Sequence, residues 1–226
     1  MTLLALDTAT QFISLALHDG QQMLAEQTWF SENRHTVELA PAVRTLLANA
    51  RLTPADLTAL AVSIGPGSYT GLRIGVALAK GMATARNLPL VGVSTLDILA
   101  AQQPHATGAL ILVLPAGRGR VIAARYGWSR GRWKARGDAQ NLDWDGLIAS
   151  IDAPATISGE ISAAGRSALE SAQQQNRPIT LALPVLRLRR AGFLAEEAWT
   201  RLREKGNFYP AAAVTPIYVK SKDSPL

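Results

Sequence analysis

The glycine-rich segment SIGPGSYTGLRIG, residues 63–75, is the stretch whose composition most directly suggests a binding site. Glycines before a helix let the backbone amides point at an anion, which is how many phosphate sites are built. The segment is not a Walker A loop, since no Gly-Lys-Ser/Thr follows, and it does not fit Gly-x-Gly-x-x-Gly. Ser68 or Thr70 could equally cap the helix and satisfy the same amides internally.

The predicted helix after this loop carries small residues at every fourth position, namely Gly71, Gly75, Ala79 and Ala83. A smooth helix face allows another helix to approach closely. Glycine inside a helix costs about 0.5–1 kcal/mol relative to alanine, so repeated glycines need a structural reason. The pattern favours helix packing over anion binding.

The segment DTAT, residues 7–10, lies at the first predicted hairpin turn. In nucleotide-binding folds of the actin and sugar-kinase type this turn reads Asp-x-Gly-Thr and wraps phosphates. Here Ala9 takes the glycine position, and its Cβ hinders close approach of the backbone. Asp7, Thr8 and Thr10 are therefore weak candidates for a nucleotide site, and capping of the turn by its own side chains is the favoured interpretation.

Other catalytic chemistry has little support in the residues. The chain has no cysteine and three histidines, at positions 18, 35 and 105, of which no two are at ligand spacing. No Gly-x-Ser-x-Gly elbow supports a serine hydrolase. We expect no metal site and no cofactor.

Residues 118–136 hold seven cations and no acid, with three aromatic residues interleaved. The cations are Arg118, Arg120, Arg125, Arg130, Arg132, Lys134 and Arg136, and the aromatics are Tyr126, Trp128 and Trp133. Arginines beside exposed aromatics suit contact with RNA phosphates and stacking on bases. The alternative is a hairpin with one solvated face and its tryptophans turned inward. Candidate RNA contacts are Arg118, Arg120, Arg130, Arg132 and Lys134.

Charge is divided unevenly along the chain. Residues 1–106 contain six Lys/Arg and seven Asp/Glu, a net charge of −1, whereas residues 107–226 contain seventeen and ten, a net charge of +7. The positive excess in the second half indicates an anionic partner or a surface that is simply charged for solubility.

The elements that would position these residues occur twice in a similar order. Each half opens with three strands in a meander and continues with helices and buried strands, which predicts an α/β protein with two lobes, 1–106 and 107–226. The predicted helices lie at 35–50, 70–86, 143–151, 161–175 and 190–205, and a later strand lies near 155–158. Pro41 is expected to kink or restart the first helix.

The 226 residues are 48% hydrophobic, enough for one sizeable core or two small ones. No apolar run approaches the ~18 residues of a membrane span. The N-terminal MTLLALDTAT lacks the basic region of a signal peptide. We expect a cytoplasmic protein with no membrane contact.

Five segments, in this order, closely resemble the TsaB family, also called YeaZ. They are LALDTAT at 4–10, HTVEL at 35–39, SIGPGSYTGLRIG at 63–75, GVSTLD at 92–97 and TPIYVK at 215–220. The glycine motif is distinctive, and the matches concentrate in the first half. The second half resembles the family mainly through its order of elements.

This resemblance implies a two-lobed actin-like or sugar-kinase-like fold, with a mixed sheet and helices in each lobe, and no enzyme activity of its own. Such proteins bind the catalytic metal protein TsaD, which makes threonylcarbamoyladenosine (t6A) at position 37 of tRNA, and the ATPase TsaE joins them. They also form homodimers through much the same surface. The interface residues that the resemblance implies here are His35, Leu39, Val43, Arg73, Gly75, Leu78, Ala79 and Met82.

The chain departs from the family pattern after the strand at 110–114. Relatives continue with Asp-Ala-Arg and then Glu-Val-Tyr, whereas this chain has Pro115–Gly117 and then Arg120–Ile122. Two other functions stay open from the residues alone. One is a small-molecule kinase or ATPase that uses Asp7 and the glycine loop, and the other is an independent RNA-binding module that uses residues 118–136.

Overall fold

Two mixed β-sheets with the same strand order organise the chain. The computed structural model describes residues 1–204 and 209–219. The strands are β1 Thr2–Asp7, β2 Phe12–His18, β3 Met23–Phe30, β4 Leu57–Ser63, β5 Leu90–Val93, β6 Ala109–Pro115, β7 Val121–Ser129, β8 Arg132–Ala135, β9 Gln140–Leu142, β10 Ala155–Gly159 and β11 Ile179–Leu181. The helices are α1 His35–Asn49, α2 Tyr69–Arg86, α3 Thr95–Ala101, α4 Trp144–Ala149, α5 Ala163–Gln174, α6 Pro184–Arg187 and α7 Ala191–Arg203.

Each sheet places its first strand in the centre. The first sheet has the order β3-β2-β1-β4-β5, with β2 and β3 antiparallel and β4 and β5 parallel. The second sheet has the order β11-β10-β6-β7-β8, again with a meander on one side of its first strand and parallel strands on the other, and β9 pairs with β7. The repeated topology confirms the expectation of two α/β halves.

The first sheet is buried on both faces because its residues alternate between two cores. Leu4 and Leu6 of β1 pack with α1 and α2, whereas Leu3 and Ala5 pack with α7. This is the period of two that a strand imposes on its side chains. The central strand β1 is consequently apolar at every position from Leu3 to Leu6.

The units of the structure differ from the predicted division at residue 106. Unit 1 comprises Met1–Ile98 and Arg190–Ile217, and unit 2 is built on Leu99–Arg189. The reason is α7, whose first backbone amide, at Ala191, donates to the Ser14 Oγ at 2.8 Å. His18 of β2 also contacts Glu196 of α7, with 3.0 Å between Nε2 and Oε1. The chain therefore returns to the first sheet.

The helices predicted from the sequence are present in the structure. The helix α1 continues through Pro41, so the expected restart does not occur, and Pro41 lies on its exposed side. The short elements β9, β11 and α6 were not predicted. Among residues 1–204 and 209–219, the helices include none that is both long and apolar enough to cross a bilayer.

Candidate partner-binding surface

The glycine loop is closed by hydrogen bonds within unit 1. Ser68 is the N-cap of α2, and its hydroxyl accepts a hydrogen bond from the Gly71 amide at 3.2 Å. The Ser68 amide donates to the Ala9 carbonyl at 2.6 Å, and the Thr95 amide donates to the Gly65 carbonyl at 2.8 Å. The structure thus realises the capping alternative, in which the Ser68 side chain is the internal partner of the Gly71 amide.

The turn after β1 is packed directly against this loop. The Asp7 Oδ1 accepts a hydrogen bond from the Ala9 amide at 2.9 Å, and the Thr8 hydroxyl donates to the Gly71 carbonyl at 2.8 Å. Asp7 and Thr8 are fully buried, and Thr10 is 6% exposed. The start of α2 fills the space over the turn where phosphates would have to enter.

His35 holds the start of α1 against the same turn. Its side chain is 5% exposed, and Nε2 lies 2.8 Å from the Thr10 carbonyl. A carbonyl only accepts, so Nε2 carries the hydrogen and donates. In the described part of the chain, no three His, Cys, Asp or Glu side chains come together as a metal cluster would require.

The stripe of small residues on α2 faces the chain's own turn and sheet. A Cβ added at Gly71 would overlap the Thr8 carbonyl oxygen, and one added at Gly75 would overlap the Thr8 hydroxyl. Ala79 and Ala83 are fully buried in the unit 1 core. The contacts of the stripe within unit 1 are therefore packing contacts with the turn and the sheet.

Between the outer sides of α1 and α2 lies an apolar groove, here called the α1–α2 groove, with a volume of about 430 Å³. It is lined by Ala40, Val43, Arg44, Leu47, Ala48, Leu52, Thr53, Pro54, Leu78 and Met82. Arg44 is the single charged side chain among them. Val37, one turn before the groove on α1, is 59% exposed.

The structure separates the predicted interface residues into two groups. Buried within unit 1 are His35, Leu39, Gly75 and Ala79, while Val43 is 5% exposed and also lines the α1–α2 groove. Arg73 is exposed, and the half-buried Leu78 and Met82 line the groove. These four buried residues lie on the inner sides of their helices, and the contact of the eight residues with a partner stays a prediction.

Sequence reasoning missed the outer stripe of α1. Val37, Ala40, Arg44 and Ala48 follow one another at spacings of three and four, and all four are exposed. A solvated helix face usually carries several charges, and this one carries only Arg44. The small number of charges on this exposed face is the sequence feature from which the groove could have been predicted.

The predicted RNA contacts are spread over unit 2. Arg118 lies in the turn between β6 and β7, and Arg130 lies in the turn between β7 and β8. Arg120 is engaged by Asn141, with Nε donating to Oδ1 at 2.8 Å and Nη2 donating to the carbonyl at 2.7 Å. Arg132 and Lys134 lie on β8. Tyr126 and Trp133 are 2% and 7% exposed, as the hairpin alternative predicts, whereas Trp128 is 38% exposed.

Comparisons with known proteins agree on one group of relatives. Residues 29–142 match the protein family described as "TsaD: tRNA N6-adenosine threonylcarbamoyltransferase". The chain is 33% identical over 196 residues to the tRNA threonylcarbamoyladenosine biosynthesis protein TsaB of Bacillus subtilis (strain 168). This match covers 80% of the chain and 86% of that protein.

Solved structures give the same result for the fold. YeaZ from Pseudomonas aeruginosa superposes with a TM-score of 0.75 at 30% identity, covering 96% of this chain and 99% of that one. The ROK hexokinase from Thermus thermophilus superposes with a TM-score of 0.52 at 13% identity, covering 90% and 100%. The hexokinase bears on the fold alone, and it confirms the prediction of a sugar-kinase-like architecture.

Proposed function

Because the chain belongs to the TsaB family, we propose that it is a noncatalytic subunit in the synthesis of t6A in tRNA, binding a TsaD subunit through the α1–α2 groove. The relative in Bacillus subtilis is named for this biosynthesis. The chain itself supplies a docking surface for the enzyme. TsaE joins the assembly of the two.

The observation that carries this proposal is the groove. A rim made of Ala40, Ala48 and Leu78 presents apolar atoms with little charge, and partner surfaces are depleted of charge at their centres in the same way. Exposed patches of this kind mark interaction sites more often than chance surface. An apolar helix of a TsaD subunit is the occupant that fits, and a second copy of this chain would compete for the same place.

The filled turn supports the noncatalytic part of the proposal. A kinase or ATPase of this fold needs the turn after the first strand to admit phosphates, but here α2 lies over it and bonds to Thr8 and Ala9. Opening that space would break the Thr8–Gly71 hydrogen bond. The kinase alternative therefore has the weaker support.

The test is TsaD binding by Ala40→Glu and Ala48→Glu variants, measured by titration calorimetry with purified TsaD. Both alanines are exposed, so the variants are expected to fold. Each new carboxylate lies four residues from Arg44, but burying a charge at an apolar contact is costly even when an opposite charge is near. We expect at least a tenfold rise in Kd, about 1.4 kcal/mol.

Ala164→Glu on the exposed side of α5 adds the same charge in unit 2 and is the matched control. It should bind TsaD as the unmodified chain does. Equal binding by all three variants would rule out the groove as the contact. Sedimentation of the chain alone would show in parallel whether the same variants dissolve a homodimer.

A further inference from the structure

The β7–β8 hairpin of unit 2 separates its cations from its aromatic residues. In the register of the pair, Gly127 lies opposite Lys134 and Ser129 lies opposite Arg132, while the Arg136 amide donates to the Arg125 carbonyl. Directly opposite residues share a face of a sheet. Arg125, Arg132, Lys134 and Arg136 therefore lie on one face, here called the cationic face.

Val121 and Ala123 show that the cationic face is on the side of the sheet that packs in the unit 2 core. They precede Arg125 at intervals of two on β7, and they pack in the unit 2 core with Trp144 and Leu147 of α4. The Arg125 Nη2 in turn donates to the Ser150 carbonyl just after α4, at 3.1 Å. Beyond this core edge the cationic face continues into solvent, where Arg132 and Arg136 are exposed.

The cationic face has the spacing and the charge of a surface for a polyanion. Successive cations on one side of a strand lie about 6.6–6.8 Å apart. Among residues 1–204 and 209–219, none of the four forms an ion pair. Gly127 has no side chain and Ser129 has a small one, so little protrudes between the cations on this face. Arg136 lies over Gly127, where an added Cβ would come 2.6 Å from the Arg136 Nε.

A pocket of about 220 Å³ lies at the inner end of this face. Arg125, Arg136, Gln140 and one carboxylate, Asp138, line it over an apolar floor that includes Leu142 and Leu147. Two arginine side chains that line one pocket suit a phosphate, because each guanidinium group presents several N–H donors in a fixed plane.

The aromatic residues lie on the opposite face and play no part in this surface. Trp128 pairs with Trp133, their ring centroids are 5.3 Å apart, and His105 packs on Trp128 at 4.8 Å. The Trp133 indole donates to the Pro104 carbonyl at 3.2 Å. Trp128 is 38% exposed, but it lies on the face opposite to the four cations, so stacking of bases beside those cations is disfavoured.

We infer that the cationic face binds the phosphate backbone of RNA, with the pocket between Arg125 and Arg136 receiving one phosphate group. A protein partner is the poorer fit because the centre of a protein interface is usually apolar, and this face offers only Gly127 and Ser129 between its charges. That the RNA is tRNA rests on the proposed function. The contact is electrostatic and independent of base sequence.

The test is fluorescence anisotropy of a labelled, unmodified tRNA transcript with the full chain, without TsaD, across a series of salt concentrations. The double variant Arg132→Gln and Lys134→Gln removes two phosphate contacts. The slope of log K against log salt should become shallower by about 1.4–1.8, at about 0.7–0.9 per contact. Arg51→Gln with Arg166→Gln removes two exposed cations elsewhere and should leave the slope unchanged.

Two further arms make the outcome decisive. Trp128→Leu should not change tRNA affinity, and a loss larger than that of the hairpin double variant would overturn the inference in favour of base stacking. Displacement of the tRNA by polyglutamate at equal charge would overturn it in favour of an acidic protein. Equal slopes for both double variants would also refute it. Since TsaD is absent from the titration, a failure here leaves the proposed function intact, and a failure of TsaD binding leaves this result intact.

Discussion

At the scale of single residues, the contact between Thr8 and the start of α2 decides what the first turn of the fold can do. The sequence showed that Ala9 replaces the glycine of a phosphate-binding turn, and it showed the row of glycines on α2. It could not show that these two features meet, because their contact joins residues more than sixty positions apart. The close approach at Gly75 is therefore a property of the fold and not of the local pattern.

Gly75→Ala should destabilise the protein, since the new methyl group would overlap the Thr8 hydroxyl. Overpacking of this kind costs about 1–3 kcal/mol. Gly81→Ala on the same helix meets nothing within 4 Å and should raise the free energy of unfolding by about 0.5–1 kcal/mol. Urea unfolding followed by far-UV circular dichroism measures both changes. Stabilisation by both substitutions would show that the α2 stripe is not tightly packed.

At the scale of elements, the link between β3 and α1 holds one wall of the α1–α2 groove. The Trp29 indole of β3 donates to the Glu38 Oε2 of α1 at 2.9 Å, and Arg34 lies 3.4 Å from the same carboxylate. The hydrogen bond from Trp29, aided by Arg34, lowers the pKa of Glu38 from its ordinary value of 4.5. The charged form is thus favoured in the folded protein.

A lowered pKa in the folded state makes this link stabilising above pH 4.5, and the stabilisation is lost as the pH falls through the lower folded value. The free energy of unfolding of the unmodified chain should therefore exceed that of Glu38→Gln most at about pH 7, and the difference should shrink at about pH 3.5. Urea titrations at both pH values measure it. Glu170→Gln, on the exposed side of α5, controls for the loss of one carboxylate. A difference that stays constant with pH would contradict the assignment.

The helices themselves were predictable, and their orientation was predictable only in part. Periodicity located α1 and α2 to within a residue or two, but it did not distinguish the exposed Val37 and Ala40 from the buried Val43. Which apolar stripe of a helix faces inward depends on the sheet beneath it, and the exposed apolar stripe became visible only once α1 was placed on that sheet.

At the scale of the whole molecule, the repeated strand order could be predicted because both halves open with a meander. That α7 belongs to unit 1 could not be predicted, because this placement depends on contacts such as Ser14–Ala191, which span most of the chain. Unit 1 is consequently assembled from both ends of the described sequence. Its groove lies on α1 and α2, on the side of the first sheet opposite to α7.

The most direct test of the central claim is the formation of t6A on an unmodified tRNA transcript, quantified by mass spectrometry in a mixture reconstituted with TsaD and TsaE, with and without this chain. If the chain is a subunit that supports TsaD, product formation depends on its presence. The yield should then fall with Ala40→Glu and stay unchanged with Ala164→Glu. Equal product formation in the absence of the chain would refute the proposed function.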